Sequence, residues 1–391
     1  MIVSGNYILN IKINDVNVPI EPQKIEELTI TQDIDRFLPV FRLRIVDPTN
    51  TLVHIVPFDK DLNTISIEVA RGTNYDNLNE FCFFVKRRIC DDEGKYEISG
   101  MLDIDNLVSS PKSRSLTGSI KTNLENIALN ELEVNETEVG KSLDYNKVII
   151  QPRWTNGKLL RYLKNNLGGS NSESGYCCFI KNVRGKSIFV FKSLNELHLK
   201  PVEYKFIVGP DIFSNYYSVS KYRIFDNSSF IADFAARSQP YKYFNYDTGE
   251  YANSNISIED FPSLTQYFLI NEDDISYDEI SPRLGRNNDF TDDFNEKVRN
   301  SYYNRIKQLV SMWISTSGLE NIAPGDIIQV IFGEMFSRRQ LFMYQHAGLW
   351  MVKRVVHIIG QTFLTNLLLV RSGIDTDEPN SLLKTTKQRK L

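Results

Sequence analysis

GLWMVKRVVHIIGQTFLTNLLLVRSG, residues 348–373, decides the fold. Lys353, Arg354 and His357 interrupt its apolar run well short of a membrane-spanning length. β-Branched residues crowd both halves, and Gly360-Gln361 supplies a turn between them, so the stretch reads as two strands. Trp350 and Val352 alternate in one phase, and Val355, His357 and Ile359 alternate in the opposite phase. A one-residue slip of that kind is the mark of a β-bulge. In the second half Phe363, Thr365, Leu367 and Leu369 alternate. The stretch predicts a bulged hairpin.

Working outward, residues 1–108 contain further short β-rich segments: ELTITQDI, FRLRIVD, TISIEVARG, FCFFVKRRIC and KYEISGMLD. Asn, Asp, Pro and Gly separate them. One pair echoes the opening hairpin. FVKRRICDDEGKYEISGML (84–102) and MVKRVVHIIGQTFLTNLLL (351–369) share Val-Lys-Arg at the same place, then a turn and a second strand. An upstream strand, TISIEVA or DIIQVIF, precedes each at nearly the same distance. Two readings fit: a chance match of hairpins, or two copies of one β-domain with the second interrupted.

Between the copies the texture changes. SPKSRSLTGS reads as a polar connector and TNLENIALNEL as a modest helix. RWTNGKLLRYLKNNLGG is a better helix, with Leu159, Leu160, Leu163 and Leu167 at helical spacing and Gly168-Gly169 as its stop. CCFIKN and SIFVFKSL form a hairpin across VRGK. Residues 243–293 are polar and acidic, a helix is expected near 294–310, and the tail 376–391 lacks periodicity and reads as a disordered extension.

The expected architecture is mainly β with α+β insertions. A first β-domain spans 1–108, a peripheral α+β domain 109–205, and a discontinuous second β-domain 206–240 with 315–373. An inserted polar and helical segment covers 241–314, and a flexible tail 374–391.

The chain has 391 residues, 41% of them hydrophobic, with 23 Phe and 19 Tyr. That is ample for two or three packed domains. Forty-five basic residues stand against 49 acidic ones, a net charge of −4, which argues against a dedicated nucleic-acid binder. The four cysteines, Cys82, Cys90, Cys177 and Cys178, are read as buried thiols of a reducing compartment. The start, MIVSGNYILN, lacks a signal-peptide pattern, so assembly in a cytoplasm is expected.

No catalytic residue, cofactor or metal site emerges. His54, His198, His346 and His357 stand far apart without metal-binding spacing. His357, on the face of Val355 and Ile359, reads as a core residue. Asp289, Asp292, Asp293 and Glu296 do not follow a calcium-loop pattern and read as a solvated helix start. The notable charges are Lys86, Arg87, Arg88, Lys353 and Arg354. They read either as a solvated strand face or as an interface between the repeated domains, with one residue of each pair facing outward or toward a neighbouring domain.

Four segments in order carry a resemblance: QPRWTNGKLLRYL (151–163), YKFIVGPD (204–211), IAPGDIIQVIF (322–332), and WMVKRVVHI with TNLLLVRSG (350–373). The chain resembles the baseplate hub proteins of contractile-tailed phages of the T-even type, least closely over 1–60 and 243–293. The resemblance implies two tail-tube-like β-barrel domains per chain and a homotrimer presenting six similar barrels. It further implies a virion role as adaptor between a sixfold tail tube, or its initiator proteins, and a threefold spike carrying a tail lysozyme. DNA would be passing cargo, and no membrane span is implied. Two other functional classes stay open: a tail-associated cell-wall-degrading enzyme and a peripheral receptor-binding tail protein.

Overall fold

The computed structural model describes residues 2–4, 7–14, 16–17, 25–47, 64–72, 78–91, 94–104, 106–108, 110–168, 175–209, 215–226, 238–245, 250–257, 283–284, 300, 310–333 and 346–371. In chain order its strands open with β1 (Ile2–Ser4), β2 (Tyr7–Ile13), β3 (Val16–Asn17), β4 (Ile25–Asp33) and β5 (Val40–Val46). Next come β6 (Thr64–Arg71), β7 (Asn79–Cys90) and β8 (Lys95–Leu102). The middle of the chain holds β9 (Lys112–Leu116), α1 (Ile120–Asn126), β10 (Glu136–Val139), β11 (Ile149–Trp154) and α2 (Asn156–Asn166). It continues with β12 (Tyr176–Val183), β13 (Lys186–Ser193) and α3 (Leu194–His198). Then follow β14 (Val202–Val208), β15 (Tyr217–Asp226), β16 (Ser238–Asn245), β17 (Glu250–Ser257) and β18 (Arg283–Leu284). The last four are β19 (Val310–Ser317), β20 (Ile327–Phe332), β21 (Gly348–Ile359) and β22 (Phe363–Arg371).

The opening hairpin forms as its alternation requires. β21 and β22 pair antiparallel, with the register shift between Val352 and Arg354, where the sequence phase slips. Trp350, Val352, Val355, His357 and Ile359 are buried, as are Phe363, Thr365, Leu367 and Leu369. The hairpin belongs to a closed six-stranded barrel that runs β14, β20, β21, β22, β19, β15 and back to β14.

The first unit follows the same plan. Its strands run β2, β6, β7, β8, β5, β4, the same neighbours in the same chain order. The register agrees as well. In β7–β8 the shift lies between Val85 and Arg87, at the first Val-Lys-Arg, and in β21–β22 it lies at the second. The residue before each motif, Phe84 or Met351, faces the first residue of the upstream strand, Thr64 or Ile327. Two hairpins matched by chance would not share a bulge position and the register of a third strand. One difference stands out. β14 is parallel to both neighbours and closes the second ring, whereas β2 is antiparallel to β6.

Among the described residues β2 and β4 do not pair with each other. The tip of the β21–β22 hairpin lies at that opening instead. Tyr7 donates its hydroxyl to the Gly360 carbonyl, and Ile359 and Phe363 join the core of the first unit.

The α+β segment joins both cores. β12 is buried from Tyr176 to Asn182 because both faces are covered: Cys178 and Ile180 face one core, Cys177 and Phe179 the other. Its hairpin with β13 turns at Arg184-Gly185, where φ is +53° and +72°, the conformation a two-residue turn between twisted strands demands. Leu159, Leu160, Leu163 and Leu167 bury one side of α2, and the Thr155 side chain accepts from the Lys158 N–H to cap it.

Three sequence readings need correction. KSRSL is a strand, pairing with β11, because the polar connector finds a partner for its backbone. At the start of the polar stretch 243–293, the end of β16 and all of β17 form a hairpin that composition did not reveal. Cys82 and Cys90 are exposed, and only Cys177 and Cys178 are buried. In β7 the inward places belong to Phe81 and Phe83, which turns Cys82 outward. The expected helix at 294–310 lies outside the described residues apart from Asn300 and Val310, the latter opening β19. The acidic group Asp289 to Glu296, His54 and the tail 376–391 also lie outside them.

Candidate functional site

β21 is long enough to serve two partners on one edge. β20 pairs with Gly348–Met351, and beyond the bulge β4 takes over, from Arg354 facing Asp33 to Ile359 facing Leu28. A bulge bends and twists a strand, and here it marks the handover between units. The two units therefore share one fourteen-stranded sheet.

The second Val-Lys-Arg sits at this seam. Arg354 Nε donates to Asp33 Oδ2 at 2.6 Å, and Lys353 Nζ lies 3.0 Å from Asp35 Oδ2. The Ile34 N–H donates to the Lys353 carbonyl, and Asp33 Oδ1 accepts the Asp35 N–H, fixing the acid-bearing turn. Both basic residues thus face the neighbouring unit. Lys86 and Arg87, their counterparts in β7, are exposed, and neither has an acidic partner among the described residues. Arg88 is half-buried. The sequence named the bases of the seam and missed its acids; the signal was Asp33-Ile34-Asp35 directly after a strand.

Polar clamps hold the α+β segment against the seam. Gln32 on β4 accepts the Asn182 N–H at 2.8 Å. Asn79, at the start of β7, donates to the Glu320 carbonyl at 2.7 Å and accepts the Gly185 N–H at 2.9 Å. The Ala-Pro-Gly-Asp loop, 323–326, is anchored to the bulge. Gly325 N–H donates to the Val352 carbonyl, and Val352 N–H donates to that of Asp326. Gly325 has φ +83°, and an added Cβ would lie 3.3 Å from the Phe179 ring.

Beside that loop lies an ionic cluster in which Lys181 and Asp326 are buried and Glu138 is half-buried. Glu138 meets Lys181 at 2.9 Å, Lys192 at 3.0 Å and Lys200 at 2.9 Å, while Asp326 lies 3.9 Å from Lys181. Burial opposes ionisation of Glu138, but Lys181 and Lys200 overcome it and hold the carboxyl far below its ordinary range. Burial pushes Asp326 up to about 7 against the opposing pull of Lys181. Glu138 ties β10 to the lysines of β12, β13 and the turn before β14 within the α+β segment, and the Lys181–Asp326 pair reaches across to the second barrel. His357 is buried between Phe81 and Phe363, and burial lowers it to about 4; its Nδ1 lies 3.2 Å from Thr365 Oγ1. Among the described residues no cluster of His, Cys, Asp or Glu is arranged to hold a metal, and no helix is long and apolar enough to cross a membrane.

No family model and no curated protein matches this sequence. The fold has solved counterparts. The chain is similar to the 43 kDa tail protein of prophage MuSo2 from Shewanella oneidensis, with a TM-score of 0.59 at 12% identity over 94% of this chain and 100% of that one. It is also similar to the tail protein from Neisseria meningitidis MC58, with a TM-score of 0.54 at 11% identity over 94% and 97%. In the Francisella PdpA-VgrG complex one chain matches with a TM-score of 0.52 at 8% identity, over 94% of this chain and 58% of that one. At such identities the likeness is one of fold.

Proposed function

We propose that the chain is a structural hub of a phage-type tail baseplate, acting as a homotrimer. The observation that carries the reading is the duplicated six-stranded unit, equal in strand order and bulge position. Three chains supply six equivalent units, so a ring of them matches a sixfold tube on one face and a threefold spike on the other. Its partners are the tail tube or its initiator proteins and the spike, with DNA passing through the central channel as cargo. It is assembled in the host cytoplasm and resides in the virion.

Two supports stand beside the duplication: the fold of the two tail proteins above, and the VgrG named in the third solved structure. The role is architectural, without catalysis. Glu138 and Asp326, the acids of the ionic cluster, are engaged with lysines.

Light scattering of the purified full chain, followed by particle images viewed down the symmetry axis, tests the reading. The expected result is a trimer with six lobes around an open channel. A monomer at every concentration, or a trimer whose lobes do not alternate around a ring, overturns it. Turnover of peptidoglycan abolished by one Asp or Glu substitution would restore the enzyme reading.

A further inference from the structure

Beyond its bulge β21 offers an edge that β4 fills. β7 has the same bulge, yet from Arg87 onward it pairs only with β8, and β6 stops at Phe84. That edge carries no strand among the described residues. Lys86, Arg87, Ile89 and Cys90 are exposed there, Ile89 to 38%. An unpaired edge with an exposed isoleucine is a site for strand addition.

The second unit holds the matching donor. β15 occupies the ring position that β4 has in the first unit, beside β19 as β4 is beside β5. β14 covers its other edge only at Tyr217–Val219, so Ser220 to Phe225 have no strand on that side among the described residues. Ser220, Lys221, Tyr222 and Arg223 are exposed.

We propose that β7 of one copy pairs antiparallel with β15 of a second copy, repeating between chains the β4–β21 seam made within each chain. This rests on the trimeric reading above and adds its interface. The contact is head to tail: each unit gives its β4-type strand to the β21-type strand of the next. A heterologous contact of this kind closes into a ring when the rotation fits.

The duplication fixes the register. Gly100 and Leu369 face the valine of each Val-Lys-Arg; Phe41 and Met312 face them in turn, and Ile30 and Ile224 face those. In the internal seam Ile30 faces His357, the third residue after Arg354. Ile224 therefore faces Cys90, the third after Arg87. Phe225 then faces Ile89, and Arg223 faces Asp91. One opposite-charge pair and one apolar pair arise from a register set without reference to charge. The hairpin tips agree too. The Ile359–Phe363 tip enters the open first unit, while the polar Asp91–Lys95 tip meets a ring already closed by β14.

Facing residues of antiparallel strands lie within cross-linking reach. The test is Ile224→Cys in the full chain, oxidised with diamide, which takes two electrons and two protons from the thiol pair. Dimer and trimer bands should appear on a non-reducing gel, vanish with reductant, and vanish when Cys90→Ser is added. Arg223→Cys points to the opposite face and should cross-link to Cys90 roughly tenfold less. A second measurement does not need a cysteine at Ile224. Asp91→Arg should weaken association about tenfold in sedimentation, and Arg223→Asp in the same chain should restore it. A trimer that neither cross-links nor responds to the charge swap overturns this interface and leaves the trimeric hub standing. A monomer at all concentrations overturns both. Cross-linking that survives Cys90→Ser overturns the register.

Discussion

Arg354 and Asp33 stand 321 positions apart in the chain and 2.6 Å apart in space. Their contact joins β21 of the closed barrel to the end of β4, so one guanidinium couples the two copies of the repeat. Asp33 is almost wholly buried, whereas Arg354 is about one-third exposed.

Replacing Arg354 with Met should therefore cost about 2–3 kcal/mol, the cost of leaving a buried charged acceptor without its donor. Asp33→Asn in the same chain should recover part of that loss. By contrast Lys186→Ala, which breaks an exposed pair with Glu136, should change stability by about 0–1 kcal/mol. Urea unfolding midpoints measure all three.

A second prediction concerns acid. Burial works against ionisation of Glu131, but Arg114, Lys112 and Asn156 hydrogen-bond its carboxylate and bring it down to about 2. An acid with a depressed native pKa contributes stability that is full above its unfolded value and lost as pH falls through the native one. The loss should run from about 4.3 down to about 2. Glu131→Gln should flatten that part of the stability profile, at a cost near neutral pH of about 2–3 kcal/mol.

His357 should act in a higher window. Burial depresses it to about 4, while the unfolded chain takes up the proton near 6.5. Since the unfolded state binds more protons between those values, stability should fall as pH drops from about 6.5 toward 4. His357→Met keeps the volume and removes the titration. Denaturation midpoints of the variant should be level across that interval; an unchanged slope would exclude His357 as its source.

Gly100 faces Val85 at the bulge of β7. A Cβ there would lie 2.0 Å from the Phe84 carbonyl oxygen and 2.8 Å from the Phe41 ring. Backbone cannot move aside as a flexible side chain does. Gly100→Ala should cost about 3 kcal/mol, at the upper end for overpacking, and should speed amide exchange at β7–β8 relative to the parent chain. Leu369, its counterpart in the second copy, shows that the requirement belongs to the first hairpin alone.

What the sequence determined by itself was whatever follows from period and turn chemistry. The phase slip between Val352 and Val355 fixes a bulge because side chains alternate strictly along a strand. Four leucines at helical spacing fix α2, and the repeated Val-Lys-Arg points to duplication. Tertiary structure alone decided the rest. Nothing local distinguishes Lys353, which meets Asp35, from Lys86, which meets no acid among the described residues. The difference arises because β4 lies along β21 and no described strand lies along the same edge of β7. Nor could period-two alternation tell that β12 is covered on both faces, or that Cys90 would be left exposed. Burial on a strand depends on which element is laid against it, and that partner is chosen by contacts more than a hundred residues away, such as Gln32 with Asn182. The closed ring is the same kind of decision: β14 enters parallel where β2 enters antiparallel, and only the connections between strands set that direction.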